Sequence, residues 1–115
     1  MRTATKDNQR LVDAYLDWQS STRNCSPHTY AAYSGTLNKL VVHLDATPLG
    51  AASVGDLEAF VERPRAQRSP NHVRGQVVVG SAATRRRDIT VLRSLYGFLR
   101  ERGLVTEDQA VLLRP

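Results

Sequence analysis

Thiol chemistry is almost absent from this chain: Cys25 is the only cysteine among 115 residues. An internal disulfide is therefore impossible, and a thiolate zinc site lacks its ligands. Long apolar runs are missing as well. None exceeds four residues, which leaves no membrane-spanning helix and no signal-peptide core in the sequence. None of the three histidines has a second histidine or cysteine at metal-ligand spacing. There is no Gly-x-Gly-x-x-Gly, no phosphate loop, and no serine on a nucleophile elbow. The carboxylates stand mostly at helix starts and on exposed faces, where capping and solubility account for them. This inventory calls for no cofactor, no metal and no catalytic residue, and a self-contained enzyme fits it poorly.

What is present is ordinary globular composition with an uneven charge. Hydrophobic residues make up 41% and charged residues 23%, as in one folded domain rather than a disordered chain. A chain of this size buries roughly 65% of its unfolded surface, enough for a core without staples. The formal charge is +5. Residues 1–62 carry 5 basic and 7 acidic groups, whereas residues 63–102 carry 10 and 2. Positive charge concentrated in one stretch points to a polyanion partner. Arginine outnumbers lysine by 14 to 2, so part of the basic excess can reflect codon usage.

Nearly every segment has helical period. Leu11, Tyr15, Leu16 and Trp18 mark one face of a helix over residues 6–22. A second helix over 27–44 starts at Ser26, a good N-cap, with Pro27 where a missing N–H does no harm. Tyr30, Tyr33, Leu37, Leu40, Val41 and Leu44 form its apolar stripe. The opposite side carries His28, Ala32, Gly35, Lys39 and His43, with no carboxylate. Ser53 and Asp56 open a short helix over 53–62 that turns Leu57, Phe60 and Val61 inward.

Residues 63–80 hold two prolines, two glycines, four arginines and no acid. Val77–Val79 has strand character, but no partner strand is visible, so the segment reads as a long basic loop. A fourth main helix over 81–102 follows, capped by Ser81 and stopped at Gly103-Leu104 in the Schellman manner. Ile89, Leu92, Leu95, Tyr96 and Leu99 form its apolar face. Arg86, Arg93 and Arg100 lie seven apart on nearly one line beside that face. A last helix over 107–113 is expected from the capping box Thr106-x-x-Gln109. The four tyrosines all fall on apolar faces, where core packing is the expected role.

Double-stranded DNA presents closely spaced phosphates, and binding it takes arginines, helix N-termini and hydroxyls. The start of the fourth main helix supplies Ser81, Thr84, Arg85, Arg86 and Arg87 together, with Arg93 two turns on. Consecutive arginines point about 100° apart, so the three cannot share one flat phosphate track. One is expected to meet a base edge, one a phosphate, and one a carboxylate such as Asp88 or Glu101. Cations at a helix N-terminus oppose the macrodipole, which argues for a purpose beyond solubility. His28 and Thr29, in the first turn of the second helix, are the natural second contact. Taken alone, that segment is explained by capping.

Three motifs in order carry a resemblance. Ser26-Pro27-His28-Thr29-Tyr30-x-x-Tyr33-x-x-x-Leu37 resembles the second helix of the core-binding domain of tyrosine recombinases and phage integrases. Ser53-Val54-Gly55-Asp56-Leu57-Glu58-Ala59-Phe60 is similar to its short third helix. The segment from Ser81 through Thr84-Arg85-Arg86-Arg87-Asp88-Ile89 to Leu99, with the Gly103-Leu104-Val105 turn, is similar to its fourth. The resemblance spans about residues 6–115. It implies an all-α fold, a small SAM-like bundle of four main helices plus a short C-terminal helix, forming one domain over 1–115. It implies that the second and fourth helices approach the major groove, with His28, Thr29 and Lys39 on one and Thr84, Arg85, Arg86 and Arg87 on the other. The implied partners are double-stranded DNA at a core recombination site, the catalytic domain of the same full-length protein, and other recombinase protomers in a synaptic complex, with no membrane. The implied setting is the cytoplasm of a bacterium, from a host or phage gene.

The family's chemistry resides in a second domain with a nucleophilic tyrosine. Its His-x-x-Arg element is missing here: the positions three after each histidine are Ala31, Ala46 and Gly75. The end at Arg114-Pro115 matches the place where an interdomain linker begins. Two departures stand out. The family's Asn-Pro-Ala after the glycine turn is replaced by Glu107-Asp108-Gln109-Ala110, and the 63–80 segment is longer than usual. Two other classes remain open. A helical protein-interaction module would use Leu112 and Leu113 for docking. A helix-turn-helix regulator would need a tight turn where this chain has the 63–80 segment.

Overall fold

A computed structural model describes residues 3–62, 64–66, 77–79 and 82–113. Helix α1 spans Thr3–Ser21, beginning earlier than its periodicity suggests. It buries Asn8, Val12, Tyr15, Leu16 and Gln19, one line along the helix. Leu11 and Trp18 lie at the edge of the core. The helix ends where Thr22 and Arg23 both donate their N–H to the Trp18 carbonyl. Asn24 then takes a left-handed φ of 52°, a conformation that asparagine tolerates better than most residues.

Helix α2 spans Pro27–Leu44, with the Ser26 side chain accepting from the Thr29 N–H. Leu37, Leu40, Val41 and Leu44 are buried. The expected stripe loosens toward its start: Tyr33 is only partly buried, and Tyr30 is 38% exposed. Tyr30, in the first turn of α2, is therefore no core residue. After Leu44 the chain turns through Asp45, and a single 3-10 turn at Leu49–Ala51 leads to α3, Val54–Val61. The α3 capping box is complete. Asp56 donates its N–H to Ser53 Oγ, and Ser53 donates its own to Asp56 Oδ2. Leu57, Phe60 and Val61 face inward.

The connection between α2 and α3 is locked from both sides by buried side chains. Asn8 on α1 is fully buried; its amide donates to the Thr47 carbonyl, and its oxygen accepts from the Leu49 N–H at 2.8 Å. The Tyr96 hydroxyl donates to the Leu49 carbonyl at 2.6 Å. A second buried set joins α1 to α4. Tyr15 Oη lies 2.6 Å from Ser94 Oγ, and the Gln19 amide donates to Tyr15.

The segment expected as an unpaired loop carries a two-stranded ribbon. Strand β1, Pro64–Ala66, pairs antiparallel with β2, Val77–Val79, Pro64 opposite Val79. Three residues show no alternation for a sequence reading to catch. Proline is tolerated as the first residue of an edge strand, where its missing N–H removes little. The bundle remains all-α in class, with four main helices. Helix α4 spans Ala82–Glu101; Ser81, the expected cap, lies outside the described residues. Ile89, Val91, Leu92, Leu95, Tyr96, Phe98 and Leu99 are buried. Gly103, at φ 70°, closes the helix. Leu104 donates to the Leu99 carbonyl and Gly103 to that of Arg100, the paired bonds of a Schellman motif.

The C-terminal piece departs from expectation. It is a four-residue 3-10 helix, Gln109–Leu112, capped by Asp108, whose carboxylate accepts from the Val111 N–H. The Gln109 amide donates to Glu107 instead of closing a box on Thr106. The short aspartate reaches the nearer N–H directly, which moves the start two residues on. Leu113 is buried at 1% exposure, so it belongs to this core, while Leu112 and Val111 stay outward.

Asn8→Ala is expected to lower unfolding free energy by roughly 2–4 kcal/mol, since it strands two backbone groups, whereas Gln9→Ala changes it by under about 0.5. Urea unfolding of both variants is the check. Burial raises the Tyr96 phenol above its ordinary 10.0, helped by the nearby Asp108 and Asp56 carboxylates. Burial also raises Tyr15, against hydrogen bonds from Ser94 and Gln19. A raised acid is neutral in the fold while the unfolded chain ionises first. Stability is then full below pH about 10 and lost as pH climbs above it. Tyr96→Phe is expected to cost about 1–2 kcal/mol at neutral pH and to flatten this alkaline decline.

Candidate nucleic-acid interface

The period of α4 sorts its arginines. The buried residues fill one side of the helix. Stepping back from Leu92 and Tyr96 by whole turns reaches Arg85, on the inward side, while Arg86 and Arg87 rotate out by about 100° each. Arg85 is accordingly half-buried, and its Nη2 lies 3.5 Å from Glu62 Oε1. Arg86 and Arg87 are exposed. Thr90, also exposed, donates its hydroxyl to the Arg86 carbonyl. Thr84 is half-buried. The expectation that one of the three arginines meets a carboxylate is met through Glu62 at the end of α3, which sequence reasoning did not name. Asp88, offered for that role, is buried on the inward side at 2% exposure.

Arg93 continues the exposed line, but its guanidinium donates to the Leu113 carbonyl. It thereby ties the C-terminal segment to α4. Arg102 lies over the Phe98 ring, 4.8 Å from its centroid, and Arg23 over Trp18 at 5.5 Å. Arg100 is exposed. Of the basic groups of α4, Arg86, Arg87 and Arg100 thus stand outward with no side-chain bond to another described residue, and two of these are adjacent near the helix start.

On α2 the outward side carries His28, Ala31, Gly35, Asn38, Lys39, Val42 and His43. No carboxylate interrupts it. The Thr29 hydroxyl accepts from Ser26 Oγ, so Thr29 serves the cap and is half-buried. His43 holds α2 to α3: its Nε2 lies 3.1 Å from the Asp56 carbonyl, and its ring leans on Phe60 with centroids 5.4 Å apart. Gly35, Asn38, Lys39, Val42 and His43 line a shallow concavity. Val42 is 78% exposed, an isolated apolar group on a polar face. The described contacts join neither His28 nor Lys39 to the arginines of α4. The two groups meet only through the packing of their helices.

Two glycines lie inside helices without any packing reason. A Cβ built on Gly35 or on Gly97 meets nothing within 4 Å. Helix-interior glycine costs about 0.5–1 kcal/mol relative to alanine. Gly35→Ala and Gly97→Ala are therefore expected to raise unfolding free energy by about that amount each, read from urea unfolding.

Among the described residues no helix is long and apolar enough to cross a membrane, and no group of three or more His, Cys, Asp or Glu is placed to hold a metal. The family model for the phage integrase N-terminal SAM-like domain matches residues 12–103. The tyrosine recombinase XerC of Pseudomonas fluorescens is 31% identical over 107 residues, covering 93% of this chain and 33% of that protein. XerC of P. fluorescens strain Pf0-1 is 30% identical, and that of Pseudomonas syringae pv. tomato 31%, over the same shares. The chain spans about a third of the length of these curated relatives. No solved structure matches it.

Proposed function

Because the chain belongs to the family of phage integrase N-terminal SAM-like domains, we propose that it binds double-stranded DNA at a core recombination site, as the N-terminal clamp of a tyrosine recombinase. The observation that carries the reading is the pair Arg86 and Arg87. Both residues are exposed in the second turn of α4 and their side chains bond no other described residue, and two adjacent outward cations suit a polyanion. The carboxylate-free outward side of α2 supports it. His28, Lys39 and the open backbone at Gly35 would let that helix approach a groove closely.

The relatives named as tyrosine recombinases are three times as long as this chain. The cutting and rejoining of DNA falls to a catalytic domain in the remainder of such a protein, and this segment contributes grip and register. Its implied partners are that domain, the duplex, and other protomers of the same recombinase. The clamp by itself binds at about 10⁻⁶ M or weaker, with strong salt dependence. Arg86 and Arg87 meet phosphate or base; Thr29, Arg85 and Arg93, which hold internal bonds, contribute less.

Two-dimensional NMR titration with a short mixed-sequence duplex at low and high salt tests this. Amides of 28–29 and 84–90 are expected to shift at low salt and return at high salt. Arg86→Ala/Arg87→Ala is expected to weaken binding at least tenfold and to reduce the slope of log K against log salt by about 1–2. Gly35→Ala, which stabilises the free chain, is expected to bind DNA more weakly. The absence of any shift at low salt would reject the DNA reading.

A further inference from the structure

The first arginine of the triplet is placed unlike its neighbours. The Arg85 side chain is 27% exposed, against 59% for its partner Glu62. Its Nη2 faces Glu62 Oε1 at 3.5 Å, while Nη1 is closed off from solvent and has no hydrogen-bond partner among the described residues. Glu62 is the C-cap of α3, and Arg85 stands in the first turn of α4. The β1–β2 ribbon lies between them in the sequence. The ion pair therefore ties the end of α3 to the start of α4.

A phosphate-binding arginine needs its guanidinium nitrogens in reach of solvent. An Nη1 without solvent access meets a phosphate only if the side chain leaves its seat, and the Glu62 carboxylate opposes that departure. Partly buried pairs are screened less than surface pairs, and removing one partner leaves the other charge poorly compensated. Helical geometry points the same way. The rotation that puts Arg85 against α3 turns Arg86 and Arg87 outward.

We propose that Arg85 is a positioning residue that braces the first turn of α4 on the C-cap of α3, so that Arg86 and Arg87 are presented while Arg85 itself touches no DNA. The functional half rests on the DNA-binding reading above, and the structural half stands without it. The pair acts as a brace in the free chain and stays closed in the complex.

The test uses the whole chain and its variants Glu62→Gln, Arg85→Gln and the double substitution, with Arg86→Ala as the contrast. In urea, each single variant is expected to lower the folding equilibrium constant about threefold to tenfold, with the double variant little worse than either. Amide exchange at 84–88 is expected to quicken in both single variants. With a short mixed-sequence duplex, both single variants are expected to bind a few-fold more weakly with an unchanged salt slope, whereas Arg86→Ala lowers the slope by about 0.9. If instead Arg85→Gln lowers the slope by about 0.9 while Glu62→Gln binds as well as wild type or better, Arg85 is a phosphate contact and the brace is overturned. Should the wild-type chain not bind duplex at low salt, the DNA reading fails. Non-additive unfolding then still supports the brace, and additive unfolding rejects it.

Discussion

The backbone of Leu49 is the point on which the bundle's geometry depends. Its N–H is taken by Asn8 of α1 and its carbonyl by Tyr96 of α4, and its side chain is fully buried. A connecting segment normally stays at the surface because its backbone groups need water. Here two buried side chains replace the water at Leu49, so the otherwise exposed connection between α2 and α3 is anchored inward at that residue. That arrangement fixes α1, α4 and the end of α2 to one another through hydrogen bonds with directional demands. Apolar contact alone would let these helices slide by fractions of a turn. The Tyr15–Ser94–Gln19 set repeats the device farther along the α1–α4 contact. The two helices proposed to meet DNA are thus held by polar bonds whose loss would leave stranded groups in the core.

Once α4 is fixed in rotation, the fate of each arginine on it follows from the helical period. The same rotation that buries Leu92, Leu95 and Tyr96 turns Arg85 toward Glu62 and leaves Arg86 and Arg87 in solvent. Three identical residues in a row acquire two different jobs without any difference in their own chemistry. Farther along, Arg93 reaches the Leu113 carbonyl and Arg102 lies on Phe98. Arginine serves here as glue as well as charge, which suits its planar fork and its weak hydration. The basic excess of residues 63–102 is therefore a poor count of the groups free to meet a polyanion.

The sequence made the helices legible wherever an apolar period and a cap coincided. Ser26-Pro27 with the Leu37–Leu44 stripe, Ser53 with Asp56, and Gly103 after Leu99 each state a start, a face or a stop in local chemistry. The ribbon was not legible, because three residues carry no alternation and pairing is a long-range event. The C-terminal turn was misread because Thr106-x-x-Gln109 satisfies a pattern that Asp108 satisfies with shorter reach. Helical period puts Tyr30 on the core stripe, but at the first turn of α2 it is 38% exposed. At the candidate site, the charge was visible but its allocation was not. No local signal in residues 81–87 names Glu62, which lies on another helix. Nor does anything beside Asn8 or Gln19 mark them as interior polar groups, since burial there is imposed by elements distant in sequence.

The places where this chain declines local stability are informative about where it meets something else. Gly35 and Gly97 sit inside helices whose packing leaves room for a methyl group, and the first two turns of α4 hold three consecutive arginines with no acid in the first turn. Elsewhere the local choices agree with the fold: the caps of α2 and α3 are satisfied, Asn8 and Gln19 are bonded in the core, and the apolar stripes largely face inward. Departures from such agreement gather at functional sites in natural proteins. Gly35, Arg86 and Arg87 lie on the outward sides of α2 and α4, whereas Gly97 is half-buried. A chain selected for bundle stability alone would gain from alanine at both glycines and from a carboxylate in the first turn of α4. That it has neither fits the close, negatively charged partner proposed above, and the packing of the bundle supplies no other reason for it.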